Sequence, residues 1–141
     1  MSQENVERHR RVIEAYNAQD LEAFIALCDP SVEVYSVFAA VDGVVYQGHE
    51  GVRKGFRDAS DTWGGQIRLE PQGYFDLGES TLVLYVLHGR GGQSGVEVTM
   101  SFAQVIRWRD GLVVHLKAYA DAADALSELG ISEDRLERID P

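Results

Sequence analysis

Between residues 66 and 119 the chain carries four strand-like runs joined by short links. Val96, Val98, Met100 and Phe102 alternate with Glu97, Thr99 and Ser101, the period of a strand that buries one face. The runs cover residues 66–77, 81–90, 96–109 and 112–119. They are separated by Leu77-Gly-Glu-Ser80, a glycine-rich stretch, and Arg109-Asp-Gly111. A parallel connection needs a crossover of a dozen or more residues, so links this short require successive strands to pair antiparallel, as a meander.

The first half has a different period. Val6, Val12, Ile13 and Tyr16 fit a helix over residues 4–17 with one buried stripe. Asp20 is placed to cap a second short helix in which Leu21, Phe24, Ile25 and Cys28 fall at i, i+3, i+4 and i+7, with Pro30 as its stop. Residues 31–35 alternate as a strand, and Asp42-Gly43 marks a turn into a strand over residues 44–47. From His49 a third helix sets Val52, Phe56, Ala59 and Trp63 on one face and closes at Gly64-Gly65. A last helix from about Asp121 ends at Gly130. Helices gathered ahead of a long antiparallel sheet predict an α+β fold.

The segment His88-Gly-Arg-Gly-Gly-Gln-Ser-Gly95 resembles a phosphate cradle only in its glycines. Such a loop needs a helix after it, so that backbone N–H groups and the positive helix end meet the anion. A strand follows instead, so the stretch is read as a hairpin between two strands.

With 141 residues the chain suits one domain, which buries roughly 70% of its unfolded surface. A net charge of -10 repels nucleic acid and anionic membrane surfaces. The single Cys28 forms no internal disulfide, no apolar leader or transmembrane span is evident, and the expected location is cytoplasmic. No close pair among His9, His49, His88 and His115 has metal-ligand spacing, so no metal is expected, nor is any cofactor. No Gly-x-Ser-x-Gly stretch supports a serine hydrolase.

"YNAQDLEAFIALCDPSVEVY", "YQGHEGVRKGFRD" and "VIRWRDGLVVHLKAYADAADAL", in that order, resemble the nuclear-transport-factor-2-like superfamily and within it the SnoaL-like, polyketide cyclase and ketosteroid isomerase-like branch. The resemblance implies a single domain over residues 1–130 with a tail at 131–141. Its fold would be a cone-shaped, curved antiparallel sheet closed by the N-terminal helices, a cystatin-like roll around a mostly apolar pocket. It also implies a homodimer, and functions that range from isomerases, cyclases and dehydratases to binding modules without chemistry. Ketosteroid isomerases use a carboxylate base with a tyrosine and a protonated aspartic acid as oxyanion hole. Those positions match Val34, Val12 and Gln104 here, so none of the three groups is retained.

Gln104 nevertheless interrupts an apolar row made of Val98, Met100, Phe102, Ile106 and Trp108, and a buried amide must find hydrogen-bond partners. Tyr16 lies one helical turn from Val12 and offers a hydroxyl on the same face. His88 can exchange a proton near neutral pH, and Arg90 continues its row. Both rows of that strand are apolar, so parity leaves open whether His88 faces a pocket or the outside.

The candidate catalytic residues are therefore His88 and Gln104. Val12, Tyr16, Val34 and Trp63 would line the pocket, with Arg90, Met100, Phe102 and Leu116 from the sheet. Their expected occupant is a small, largely hydrophobic carbonyl compound. The chain would be either a cofactor-independent isomerase, cyclase or lyase or a non-catalytic binding or dimerisation module. His49 and His115 read as structural or surface residues, and Asp121 as a helix cap.

Overall fold

A computed structural model describes residues 3–36, 44–64, 66–91 and 95–141. Among the described residues there are four α-helices: α1 (Gln3–Asn17), α2 (Leu21–Ala26), α3 (Gly48–Trp63) and α4 (Ala122–Leu129). The strands are β1 (Cys28–Tyr35), β2 (Val45–Gln47), β3 (Ile67–Asp76), β4 (Ser80–Arg90), β5 (Glu97–Arg109) and β6 (Leu112–Tyr119). They form one curved, unclosed sheet in the order β2-β1-β6-β5-β4-β3.

The meander is as the short links require. Strands β3 to β6 pair antiparallel in succession, with Leu87 opposite Met100 and Ile106 opposite Leu116. β1 joins parallel to β6, Val34 lying opposite Leu116. That parallel pair connects residues from the two ends of the chain. The predicted Asp42-Gly43 turn lies outside the described residues.

Asp20 accepts the Ala23 N–H at 3.1 Å and opens α2. The helix stops at Ala26, short of the predicted Cys28, which instead begins β1 and stays buried. Pro30 two residues later disfavours continuing the helix, and the extended strand keeps the thiol in the core. Asp121 caps α4 through the Asp124 N–H at 2.8 Å, as expected.

Helices α1, α2 and α3 cover one face of the sheet. Val12, Phe24, Ile25 and Val52 pack there against Val32, Ile106 and Leu116, while Val6, Ile13 and Trp63 pack against Leu69, Val83 and Leu87. A third cluster lies on the opposite face, where Ala125 and Leu126 of α4 meet Leu82, Ala103 and Val105. β4 is thus covered on both sides, which is why both of its side-chain rows are apolar.

Two glycines of the hairpin stretch have visible reasons. A Cβ on Gly89 would stand 2.8 Å from the Trp63 ring, so this position stays bare for the indole to lie on the strand. Gly95 takes φ +68, in the left-handed region that favours glycine, and its N–H bonds Gly91 O at 2.9 Å. Residues 131–141 return along β3: Tyr74 and Ile139 exchange backbone hydrogen bonds of 2.8 and 2.7 Å. Among the described residues no helix is long and apolar enough to cross a membrane.

Candidate functional site

The curved sheet and the helices that cover it leave between them a cavity of about 520 Å³. α1 contributes Val12 and Tyr16, and α3 contributes Phe56, Asp58, Thr62 and Trp63. From the sheet come Val34, Leu69, Tyr85, Leu87, Gln104 and Leu116. Aliphatic and aromatic groups dominate, so the polar side chains among them decide what an occupant can do.

Gln104 is the end of a buried chain of hydrogen bonds. Its Oε1 lies 2.9 Å from His9 Nε2, and His9 Nδ1 lies 2.8 Å from Thr81 Oγ1. Trp108 Nε1–H donates to the same Thr81 oxygen at 2.8 Å. Indole nitrogen can only donate and an amide oxygen can only accept, which fixes the direction of the chain when the imidazole between them is neutral. The Thr81 hydroxyl receives from Trp108 and donates to His9 Nδ1, and His9 Nε2–H donates to Gln104.

That arrangement requires a neutral imidazole. His9 is fully buried, and burial pushes its pKa down from 6.5 to about 4, the hydrogen bond it donates to Gln104 opposing only part of the shift. With its oxygen engaged, the Gln104 amide keeps its N–H2 group without a partner among the described residues. No fully buried polar side-chain atom is left unpaired there, so this group opens on the cavity that Gln104 lines.

Tyr16 and Tyr85 add two hydroxyls with the same character. Neither has a hydrogen-bond partner among the described residues, and both side chains line the cavity. Burial raises the Tyr16 hydroxyl to about 12 and raises Tyr85 further, with Tyr16 nearby adding to the effect. Both remain protonated donors at neutral pH. An amide and two phenols are thus offered to whatever fills the space, all able to donate to an oxygen.

The α3 wall differs in charge. Asp58 Oδ2 accepts from Tyr46 Oη at 2.7 Å and from Lys54 Nζ at 2.8 Å. These bonds, that of Lys54 first, hold its carboxyl below the usual carboxylate range. Among the described residues no group of three His, Cys, Asp or Glu is arranged to hold a metal.

The predicted site residues divide between two places. Val12, Tyr16, Val34, Trp63, Gln104 and Leu116 come together around the cavity. His88, Arg90, Met100 and Phe102 do not line it. His88 belongs to the row of Leu82 and Leu84, on the α4 side of the sheet, and its Nε2 meets Glu70 Oε1 at 2.8 Å. Arg90 pairs with Glu97 across the hairpin, and both His88 and Arg90 border a separate depression.

Met100 lies near the open end of its strand and is 46% exposed, beyond the reach of the covering helices. Phe102 packs its ring on Tyr85 at 5.9 Å, so Tyr85 stands at the cavity surface in its place. His88 acting beside Gln104 is therefore not assembled. His49 meets the Cys28 carbonyl at 3.0 Å, and His115 lies against the Tyr35 ring at 5.0 Å.

Sequence reasoning missed His9, Tyr85 and Asp58. His9 falls with Val6, Ile13 and Tyr16 on the buried stripe of α1, at i+3 from Val6, and that spacing was a usable signal. For Tyr85 the signal was indirect: its row continues to Gly89, while the other continues to charged Arg90.

Comparison with known proteins agrees with this architecture. A comparison with curated proteins returns no match. Among solved structures, a nuclear-transport-factor-2-like protein of unknown function from Burkholderia pseudomallei superposes with a TM-score of 0.74 at 24% identity, covering 88% of this chain and 95% of that one. A proposed polyketide cyclase from Xanthomonas campestris pv. campestris gives 0.73 at 17% identity, over 91% and 98% of the two chains. TerC, co-crystallised with polyporic acid, gives 0.73 at 22% identity, over 89% and 97%. These likenesses concern the fold. The sequence profile of the SnoaL-like domain matches residues 9–116, most of the chain, and the chain belongs to that family.

Proposed function

We propose that this SnoaL-like chain binds a small, largely apolar molecule in the cavity and holds it by a carbonyl-type oxygen. The observation that carries the reading is the Gln104 amide, fixed from behind by His9 and left with its N–H2 group open to the space. A donor so placed is poorly hydrated when the cavity is filled with apolar matter, and leaving it unmade costs roughly 1–3 kcal/mol. An occupant that brings an acceptor recovers that cost. Tyr16 and Tyr85 supply further donors to the same oxygen, and the aliphatic and aromatic walls take the rest of the molecule.

The absence of His88 from the cavity removes the acid/base scheme built on it and favours binding as the primary role. Acetylnaphthalene is a suitable probe, flat and apolar with one ketone oxygen. At about a hundredfold excess over its Kd it should raise the melting temperature by roughly 5 to 10 °C. In Gln104→Leu the shift at the same concentration should fall to about half of that, each protein being compared with its own ligand-free baseline. A shift of undiminished size in the variant would rule out Gln104 as the anchor.

A further inference from the structure

We infer that Asp58 is a specificity-determining residue of this cavity, which selects carbonyl compounds carrying a hydroxyl group at the end remote from the carbonyl. The inference rests on the carbonyl-binding reading and extends it to the other wall. Gln104 stands on the sheet, and Asp58 on the helix that covers it, yet both line one cavity. The first offers hydrogen-bond donors and the second an acceptor, so the space is polar in opposite senses on its two sides.

The local bonding of Asp58 supports an acceptor role. Lys54 and Tyr46 both donate to Oδ2, and Oδ1 has no partner among the described residues. The ammonium of Lys54 at 2.8 Å neutralises much of the carboxylate charge, which disfavours a requirement for a cationic ligand. A neutral O–H donor suits such a group: the bond to an ionised acceptor is strong, and little charge need be buried to make it. Carboxylates on a ligand would be repelled. Gly55 and Thr62, a turn before and after Asp58 on the same helical face, also line the cavity, and the Tyr46 ring lies over Gly55.

The test compares acetylnaphthalene with hydroxyacetylnaphthalene bearing the hydroxyl on the ring opposite the acetyl group, titrated into the wild type and Asp58→Ala. The wild type should bind the hydroxylated compound about tenfold more tightly. In Asp58→Ala the ratio of the two affinities, read within the variant itself, should fall to about one, the tenfold preference being lost. If the plain ketone binds and the hydroxyl adds nothing, or if the preference survives in the variant, the inference falls and the carbonyl-binding reading stands. If neither compound binds the wild type, the two fall together.

Discussion

His9 and His88 carry the same side chain in opposite circumstances. His9 is fully buried on α1, with both ring nitrogens engaged by neutral partners, Thr81 and Gln104. His88 stands on β4 with 36% of its side chain exposed and one ring nitrogen against the Glu70 carboxylate, itself 48% exposed. From sequence alone His88 is the more conspicuous, because it sits among apolar residues and glycines. In the structure it is a solvated pair on the outside of the sheet, and His9, lodged between Arg8 and Arg10 in a charged segment, supports the cavity. The chemical reach of a histidine here depends on what surrounds it in space, and a charged sequence neighbourhood can hide a buried ring.

The sharpest way to break this contrast is to delete each ring in turn. His9→Ala leaves the Thr81 hydroxyl and the Gln104 oxygen short of partners and opens a hole in the core, and should cost roughly 3 kcal/mol in urea unfolding. A cost below about 1 kcal/mol would mean that the chain from Trp108 to Gln104 is not a structural unit.

Acidification should report on the buried His9. In the fold His9 has a pKa of about 4 against 6.5 as its ordinary value, so between those values the unfolded chain takes up a proton that the fold excludes. Stability from this group is fully present above the ordinary value and is lost as pH falls toward the lower one. Between about pH 7.5 and pH 5 the loss should be roughly 2 kcal/mol. Burial lowers His115 in the same direction, so the slope that disappears in His9→Gln, rather than the total, is the quantity to read. An unchanged slope in His9→Gln would place a charged or exposed imidazole at this position.

The smallest effect is expected on the outside. His88→Ala removes an exposed pair and should change stability by about 0.5 kcal/mol or less, and leave acetylnaphthalene binding unaltered. Weakened binding in that variant would bring His88 back into the site.

Much of the fold was legible because burial is one-sided along most elements. β5 shows a clear period of two where one face meets solvent, and α1 a clear helical stripe. The parallel pairing of β1 with β6 left no local trace, since it joins residues about 80 positions apart whose register is set by the packed core. The polar anchor of the site was legible because Gln104 interrupts an apolar row. On β4 the same logic fails for a physical reason: Leu82 is buried under α4 while Tyr85 faces the cavity, so both rows are apolar and parity carries no direction. Asp58 was hidden by its helix, where a carboxylate four residues from Lys54 reads as an ordinary surface pair.

The central claim, that His9 holds the Gln104 amide with its N–H2 group toward a ligand oxygen, is most directly tested by following the Gln104 side-chain amide resonances while acetylnaphthalene is added. One of the two amide protons should move downfield, saturate with the same Kd as the thermal shift, and remain unmoved in His9→Gln at equal occupancy. Saturable binding with both Gln104 amide protons unperturbed in the wild type would contradict the account.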